Sequence, residues 1–173
     1  WFESTPGEGT PFNFTVPYIP ANTEPNNSKK NTKNGNSIGF NLTGKKILIA
    51  EDEILNYLFI ETVLSNQGCH LVHALNGKEA LDMYSQDLTF DIIIMDLQMP
   101  VMDGFEATFK IKAIRQDVPI VAYSAYVLDN EKQKALKAGC VDFLSKPVRK
   151  EKVLAVLEKH INPLVDEFPQ NRQ

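Results

Sequence analysis

Four short apolar runs in this chain each stop on residues that can handle charge. Lys46-Ile47-Leu48-Ile49-Ala50 runs into Glu51-Asp52, and Asp91-Ile92-Ile93-Ile94-Met95 runs into Asp96. Pro119-Ile120-Val121-Ala122-Tyr123 meets Ser124, and Val141-Asp142-Phe143-Leu144-Ser145 meets Lys146-Pro147. Short runs rich in β-branched residues, separated by helix-length stretches, predict the strands of a parallel sheet. In an open sheet of that kind the ligand site lies beyond the carboxyl ends of the strands. Neighbouring strands would therefore gather these acids, the hydroxyl and the ammonium at one edge.

The stretches between the runs carry helix signals. Ile54, Leu55, Leu58, Phe59, Thr62 and Val63 form a stripe that predicts a first helix, with Gly68 as its terminating C′ glycine. His70 to Ala74 reads as a further short strand, and Asn76 as the N-cap of a helix over 77–86. Asp103-Gly104 supplies the turn into a third helix over 104–115, and Met99 and Met102 are apolar contacts of the preceding loop. A fourth helix over 128–138 is stopped by Gly139. Its many charges leave only Leu128, Ala135, Leu136 and Ala138 for burial, so it is expected to be weakly held and adjustable. A fifth helix over 149–161 turns Val153, Leu154, Val156, Leu157 and Ile161 inward and ends at Pro163. The sum is a (βα)5 unit over 44–161, with right-handed crossovers placing helices on both sheet faces.

The rest of the chain reads differently. Residues 1–19 alternate as a β-hairpin around Thr5-Pro6-Gly7-Glu8-Gly9. A lone hairpin is marginal in water, and the chain opens on Trp1, so the hairpin is expected to be the last piece of an upstream domain. Residues 20–43 are rich in Asn, Lys, Ser, Thr and Gly and read as a flexible linker. About 22 residues of that kind span roughly 25 Å. Residues 162–173 form a short tail.

Composition limits the function classes. A net charge of −4 offers no electrostatic reason to bind nucleic acid. No apolar stretch approaches the roughly 20 residues that span a bilayer. Cys69 and Cys140 show neither metal spacing nor a disulfide framework, and are expected to be buried or half-buried thiols in a reducing, cytoplasmic setting. His70 and His73 lie in or beside a strand, and His160 suits a helix C-terminus. None has the neighbours of a phosphodonor histidine.

The strand-end residues carry the chemistry. Glu51, Asp52 and Asp96 would stand close together if the first and third strands are neighbours, and like charges at that range call for a cation. Mg2+ suits few protein oxygens completed by water and phosphate. Lys146 offers a point charge and Ser124 a hydroxyl to phosphoryl oxygens. A carboxylate can accept a phosphoryl group as an acyl phosphate, and in-line transfer needs mainly positioning and charge neutralisation. One strand-end Asp alone would be a helix cap; five such groups at the ends of four runs are a site.

These residues carry a resemblance over 44–161 to the receiver domains of response regulators. Its motifs are Ile47-Leu48-Ile49-Ala50-Glu51-Asp52-Glu53, Met95-Asp96-Leu97-Gln98-Met99-Pro100-Val101-Met102-Asp103-Gly104 and Leu144-Ser145-Lys146-Pro147. The resemblance implies a flavodoxin-like doubly wound sheet with strand order 2-1-3-4-5. It implies Asp96 as phosphoacceptor, with Asp52, Asp96 and the backbone carbonyl of Gln98 binding Mg2+ and Glu51 acting through water. It also implies Ser124 as switch hydroxyl, Phe143 as switch aromatic, Lys146 as the phosphoryl-binding cation and a cis bond before Pro147. Two departures stand out: Tyr123 replaces a smaller aliphatic residue, and Cys140-Val141 replaces a Met-Asp pair.

The hairpin is similar to the last strands of a histidine-kinase ATP-binding domain, with Gly7-x-Gly9-Thr10 resembling its distal glycine box. Kinase tail, linker and receiver, in that order, imply a hybrid sensor histidine kinase whose cytoplasmic signalling domains can belong to an inner-membrane sensor. The implied partners are the kinase core, in cis or in trans, and a histidine phosphotransfer protein or downstream regulator. Neither nucleic acid nor membrane is contacted by this fragment, which is expected as a monomer or weak dimer. The intact parent is expected to be the ATP-dependent phosphotransferase, and this fragment only to assist its own aspartyl phosphorylation and dephosphorylation. The alternative is a receiver-fold interaction module that signals without phosphorylation. An aspartyl-phosphate phosphatase would want an acid where Gln98 stands, and a flavin binder would be repelled by Glu51-Asp52-Glu53.

Overall fold

A computed structural model of the protein describes residues 42–125 and 129–161, together with Thr15, which lies in no regular element. The chain divides into two units, Trp1–Asn36 and Ser37–Gln173, and the description concerns the second. The expected hairpin over 1–19 apart from Thr15, the linker up to residue 41 and the tail over 162–173 lie outside the described residues.

Strands and helices alternate from β1 (Lys46–Ala50), α1 (Ile54–Leu64) and β2 (His70–Ala74) to α2 (Gly77–Gln86) and β3 (Ile92–Asp96). They continue through α3 (Gly104–Ile114), β4 (Ile120–Ser124), α4 (Asp129–Ala138), β5 (Asp142–Ser145) and α5 (Lys150–Ile161). All five strands pair in parallel, in the order β2-β1-β3-β4-β5. The expected strand order therefore holds. β1 and β3 flank the switch point, because the chain leaves β1 toward β2 on one side and continues to β3 on the other.

The central strands are buried on both faces, which is why they read as continuous apolar runs. Ile47 and Ile49 of β1, Ile92 and Ile94 of β3 and Val121 and Tyr123 of β4 pack with α1 and α5. Leu48, Ala50, Ile93, Met95, Ile120 and Ala122 point the other way and pack with α2, α3 and α4. Each fully buried aliphatic side chain contributes about 1.5–3 kcal/mol relative to exposure. Leu42 is also fully buried and joins the α1/α5 side.

Helix starts follow local chemistry. The Asn76 side chain accepts from the Glu79 amide at 2.9 Å, and Asp103 accepts from the Glu106 amide at 2.8 Å. Both cap an otherwise unpaired amide of the first turn.

Three expectations about packing are corrected. The stripe assigned to α1 faces solvent: Ile54, Leu55, Leu58 and Phe59 are exposed, and so is Thr62, with only Val63 turned inward. The buried face is Ile60, Val63 and Leu64. Apolar residues surround α1 almost completely, so periodicity had no polar face from which to choose the inner one. Gly68 is not the C′ residue of α1, which ends at Leu64 with Ser65 as its C-cap. Gly68 instead takes φ 75° in the following turn, where a Cβ would stand 2.7 Å from Thr43 Oγ1. On α4, Leu136 is 60% exposed and Ala135 is the apolar residue fully turned inward; Leu128 lies outside the described residues.

Candidate functional site

The strand register builds the site. Ala50 lies beside Met95, so Glu51-Asp52 leaves β1 next to Asp96 at the end of β3. Asp96 lies beside Tyr123, and Ser124 beside Ser145, which brings Lys146 to the same edge. The Lys146 amide donates to the Ser124 carbonyl at 2.8 Å. The Lys146-Pro147 peptide bond is cis, as expected.

Glu51 is fully buried, and Asp96 and Ser124 nearly so, while Asp52 is exposed. Lys146 Nζ bridges the two buried acids. It donates to Asp96 Oδ2 at 2.7 Å and to Glu51 Oε1 at 3.0 Å. Glu51 Oε2 lies 2.7 Å from the same ammonium but off any hydrogen-bonding axis, so it has an ionic neighbour and no hydrogen bond. The other oxygen of Asp96 accepts from the Gln98 amide at 3.0 Å. A cavity of about 270 Å³ opens over these groups, lined by Glu51, Asp52, Glu53, Asn56, Asp96, Gln98, Ala125 and Lys146.

Burial raises the Glu51 carboxyl above its ordinary value, and the Asp96 charge adds to this against hydrogen bonds from Lys146 and Asn56. For Lys146, burial pulls its pKa down, but the hydrogen bonds and charges of Asp96 and Glu51 outweigh it and the pKa rises. The ammonium stays charged because it has two acids to serve. Tyr123 lies beneath it, with Nζ 4.6 Å from the ring centroid. Burial, then the charges of Glu51 and Asp96, push the Tyr123 hydroxyl up to about 12. The departure noted in the sequence thus adds an aromatic face to the site lysine.

Two residues of this site were missed in the sequence. Asn56 Nδ2 donates to Glu51 Oε1 at 3.0 Å and to Glu53 Oε2 at 2.7 Å, holding the buried acid from the first turn of α1. Its signal was a polar residue within an apolar helix, five positions after Glu51. His73 Nε2 lies 2.8 Å from the Glu51 carbonyl. A carbonyl only accepts, so Nε2 carries the proton. The His73 ring stacks on Tyr57 at 3.7 Å, and the Tyr57 hydroxyl donates to Glu61 at 2.9 Å. This chain of contacts ties α1 to β2 beneath the site, and no spacing in the sequence announces it.

Phe143 is not at the acid cavity. It is half-buried and lines a separate cavity of about 200 Å³ with Lys132, Ala135, Leu136, Cys140, Val141 and Asp142, between α4 and β5.

The acid cluster suits a hard divalent cation. Oxygens of Glu51, Asp52 and Asp96 all lie within 4.8 Å of one another, against about 4.2 Å across an octahedron of Mg2+–oxygen bonds. Three carboxylates face one ammonium. A dication would offset that excess of negative charge. No helix among the described residues is long and apolar enough to cross a membrane.

Residues 47–158 match the response regulator receiver domain family. Hybrid signal transduction histidine kinase I of Dictyostelium discoideum is 33% identical over 137 residues, covering 75% of this chain and 8% of that kinase. Sensor protein GacS of Pseudomonas syringae pv. syringae is 34% identical over 119 residues, covering 66% of this chain and 13% of GacS. The chain thus spans a small part of the length of these curated relatives. Among solved structures, the receiver domain of a sensor histidine kinase from Pseudomonas aeruginosa PAO1 is 32% identical with a TM-score of 0.64. That match covers 69% of this chain and 98% of the other, which has a magnesium ion coordinated in its active-site cleft.

Proposed function

The chain belongs to the response regulator receiver family, and from that premise we propose that it takes a phosphoryl group from a protein phosphohistidine onto Asp96 in a two-component phosphorelay. The observation that carries this reading is Lys146 bridging Asp96 and the buried Glu51 at the floor of an open acid cavity. A buried acid paired with a cation, under an opening wide enough for a phosphoryl group, is a nucleophile with its charge compensation in place.

A carboxylate oxygen of Asp96 attacks phosphorus, the O–P bond forms as the N–P bond breaks, and the electron pair returns to the imidazole nitrogen. Asp52, Asp96 and the Gln98 carbonyl would hold Mg2+, with Glu51 acting through water. When bound, the ion neutralises the charge of the transferring phosphoryl oxygens. As the Asp96 charge is consumed, Lys146 transfers its hydrogen bond to a phosphoryl oxygen. Asn56 and the Gln98 amide keep the two carboxyl groups oriented meanwhile.

The added phosphoryl brings about −1.5 to −2 charges at pH 7. Ser124 would turn its hydroxyl toward that group, and Phe143 would follow on the α4/β5 side, where α4 is thinly anchored. The output is that altered face, or transfer of the phosphoryl group onward to a histidine phosphotransfer protein or downstream regulator.

The context is a hybrid kinase. Residues 1–19 would close its ATP-binding domain, and the linker would raise the effective concentration of receiver and kinase core for transfer in cis. In that parent, ATP-dependent activity resides in the kinase core, and this chain assists only its own aspartyl phosphorylation and dephosphorylation. The place of action is the cytoplasm, as a monomer or weak dimer. The exposed Ile54, Leu55, Leu58 and Phe59 of α1 support a protein rather than a metabolite as donor.

The test is labelling by acetyl phosphate with and without Mg2+. Wild type should label only with the ion, and Asp96→Asn should not label. Equal labelling of Asp96→Asn would sink the assignment.

A further inference from the structure

Val101 is the non-glycine residue with a left-handed backbone among the described residues, at φ 70°. Its side chain is 84% exposed, more than any other large apolar side chain described. The Met102 amide donates to the Pro100 carbonyl at 2.8 Å, closing a three-residue turn around Val101. Turns of that hand are rare and strained, and a β-branched residue suits them least.

The turn itself has a reason in the fold. Leu97, Met99 and Met102 are buried, whereas Gln98, Pro100 and Val101 face solvent. The chain must reverse sharply to bring Met102 back to the core. Glycine or asparagine would make that reversal with less strain. The valine side chain, exposed as it is, gains almost no packing within this chain to offset the conformation. Its isopropyl group is accounted for if something outside the chain covers it.

Position says what that is. Gln98 lines the acid cavity, and Val101 follows by three residues, so their Cα atoms are at most about 11 Å apart. A protein that brings a phosphohistidine to Asp96 covers about 800 Å² of this surface, a disc of roughly 16 Å radius. Val101 falls inside it. So do Ile54 and Leu55, which adjoin the cavity-lining Glu53 and Asn56 and are 56% and 74% exposed. A small phosphodonor entering the cavity reaches none of the three.

Resting on the phosphoacceptor reading above, we propose that Val101 is a docking contact that sets specificity for the protein donor. It is an apolar knob on a strained turn, seated against an apolar patch of the phosphohistidine-bearing protein.

The experiment compares two donors on wild type, Val101→Asn and Val101→Ile. One donor is acetyl phosphate; the other is a purified histidine-kinase dimerisation domain in its phosphohistidine form. With Val101→Asn, kcat/KM for the protein donor should fall about tenfold, mainly through KM, while labelling by acetyl phosphate stays within about twofold of wild type. Val101→Ile should restore transfer. Unchanged transfer to Val101→Asn overturns the proposal, as does an equal loss with both donors, which would mean that Val101 acts on the cavity rather than the partner. It also falls if acetyl phosphate labels the wild-type chain and the protein donor does not. Failure of the phosphoacceptor reading would show separately, as acetyl phosphate labelling of Asp96→Asn.

Discussion

Gly104 packs so closely on Asp96 that a Cβ there would stand 2.0 Å from the Asp96 carbonyl oxygen. The obstacle is backbone, so no side-chain rotation relieves it. The Gly104 amide also donates to the Leu97 carbonyl at 3.2 Å, seating the start of α3 under the loop that follows Asp96. Gly104→Ala should destabilise the chain by about 3 kcal/mol, the upper part of the usual range for overpacking. At Gly44, which has φ 77° and nothing within 4 Å of a Cβ, alanine should cost about 1–2 kcal/mol through backbone strain alone. Urea unfolding of both variants checks the order. Equal losses would mean that the close approach to Asp96 is not the controlling contact.

Lys146 separates charges that would otherwise repel. Lys146→Met should cost about 3 kcal/mol without metal, because it leaves the buried Glu51 and Asp96 without their cation. Mg2+ should then raise Tm more in the variant than in wild type, since the ion takes over the neutralisation and no longer competes with the ammonium. Calorimetry with and without 10-millimolar-scale Mg2+ decides it; a smaller gain in the variant contradicts the account.

Asp142, on the far strand, is the clearest pH-dependent contact. Burial would raise its carboxyl, but hydrogen bonds from Lys159 and His160 outweigh burial and bring it from 3.8 down to about 2. A carboxyl lowered in the folded state stabilises above its unfolded value and loses that contribution as pH falls through the folded one. Wild type should therefore exceed Asp142→Asn by about 1 kcal/mol at pH 5, after allowance for solvent screening. The difference should shrink between pH 4 and 2. Urea midpoints across that range measure it, and a constant offset would exclude the linkage.

The two thiols should differ in reactivity. Cys140 is 5% exposed, and burial pushes its thiol up to about 11 against a hydrogen bond shared with Thr108. Cys69 is half-buried, and burial raises its thiol as well. At pH 8 an alkylating reagent should modify Cys69 first and Cys140 only on unfolding. Peptide mapping with and without urea distinguishes them.

The expected sheet was legible because its strands are apolar on both faces. A run such as Ile92-Ile93-Ile94-Met95 has few alternatives to a buried parallel strand. The acid cluster was legible for a related reason. Parallel strands end at the same edge, so Glu51, Asp52, Asp96 and Lys146 needed only neighbouring strands to meet. The cap at Asn76 and the turn at Asp103-Gly104 were read from a few adjacent residues, which is the range over which capping and turn chemistry act.

The α1 face was not legible. Ile54, Leu55, Leu58 and Phe59 have the same hydrophobicity as Ile60, Val63 and Leu64, and only the position of α5 and the sheet decides which set is covered. Asn56 on Glu51, His73 on the Glu51 carbonyl and Lys146 over Tyr123 likewise depend on distances between separate elements. So does the left-handed turn at Val101, which exists because Met99 and Met102 must both reach the core.

By itself, then, the sequence determined where strands run and which chemical groups stand at their ends, since both follow from local pattern and the geometry of parallel pairing. Tertiary structure alone decided which apolar face stays exposed and which neighbours hold the buried acids in place. Those outcomes depend on packing between elements, and a periodic pattern carries no record of it.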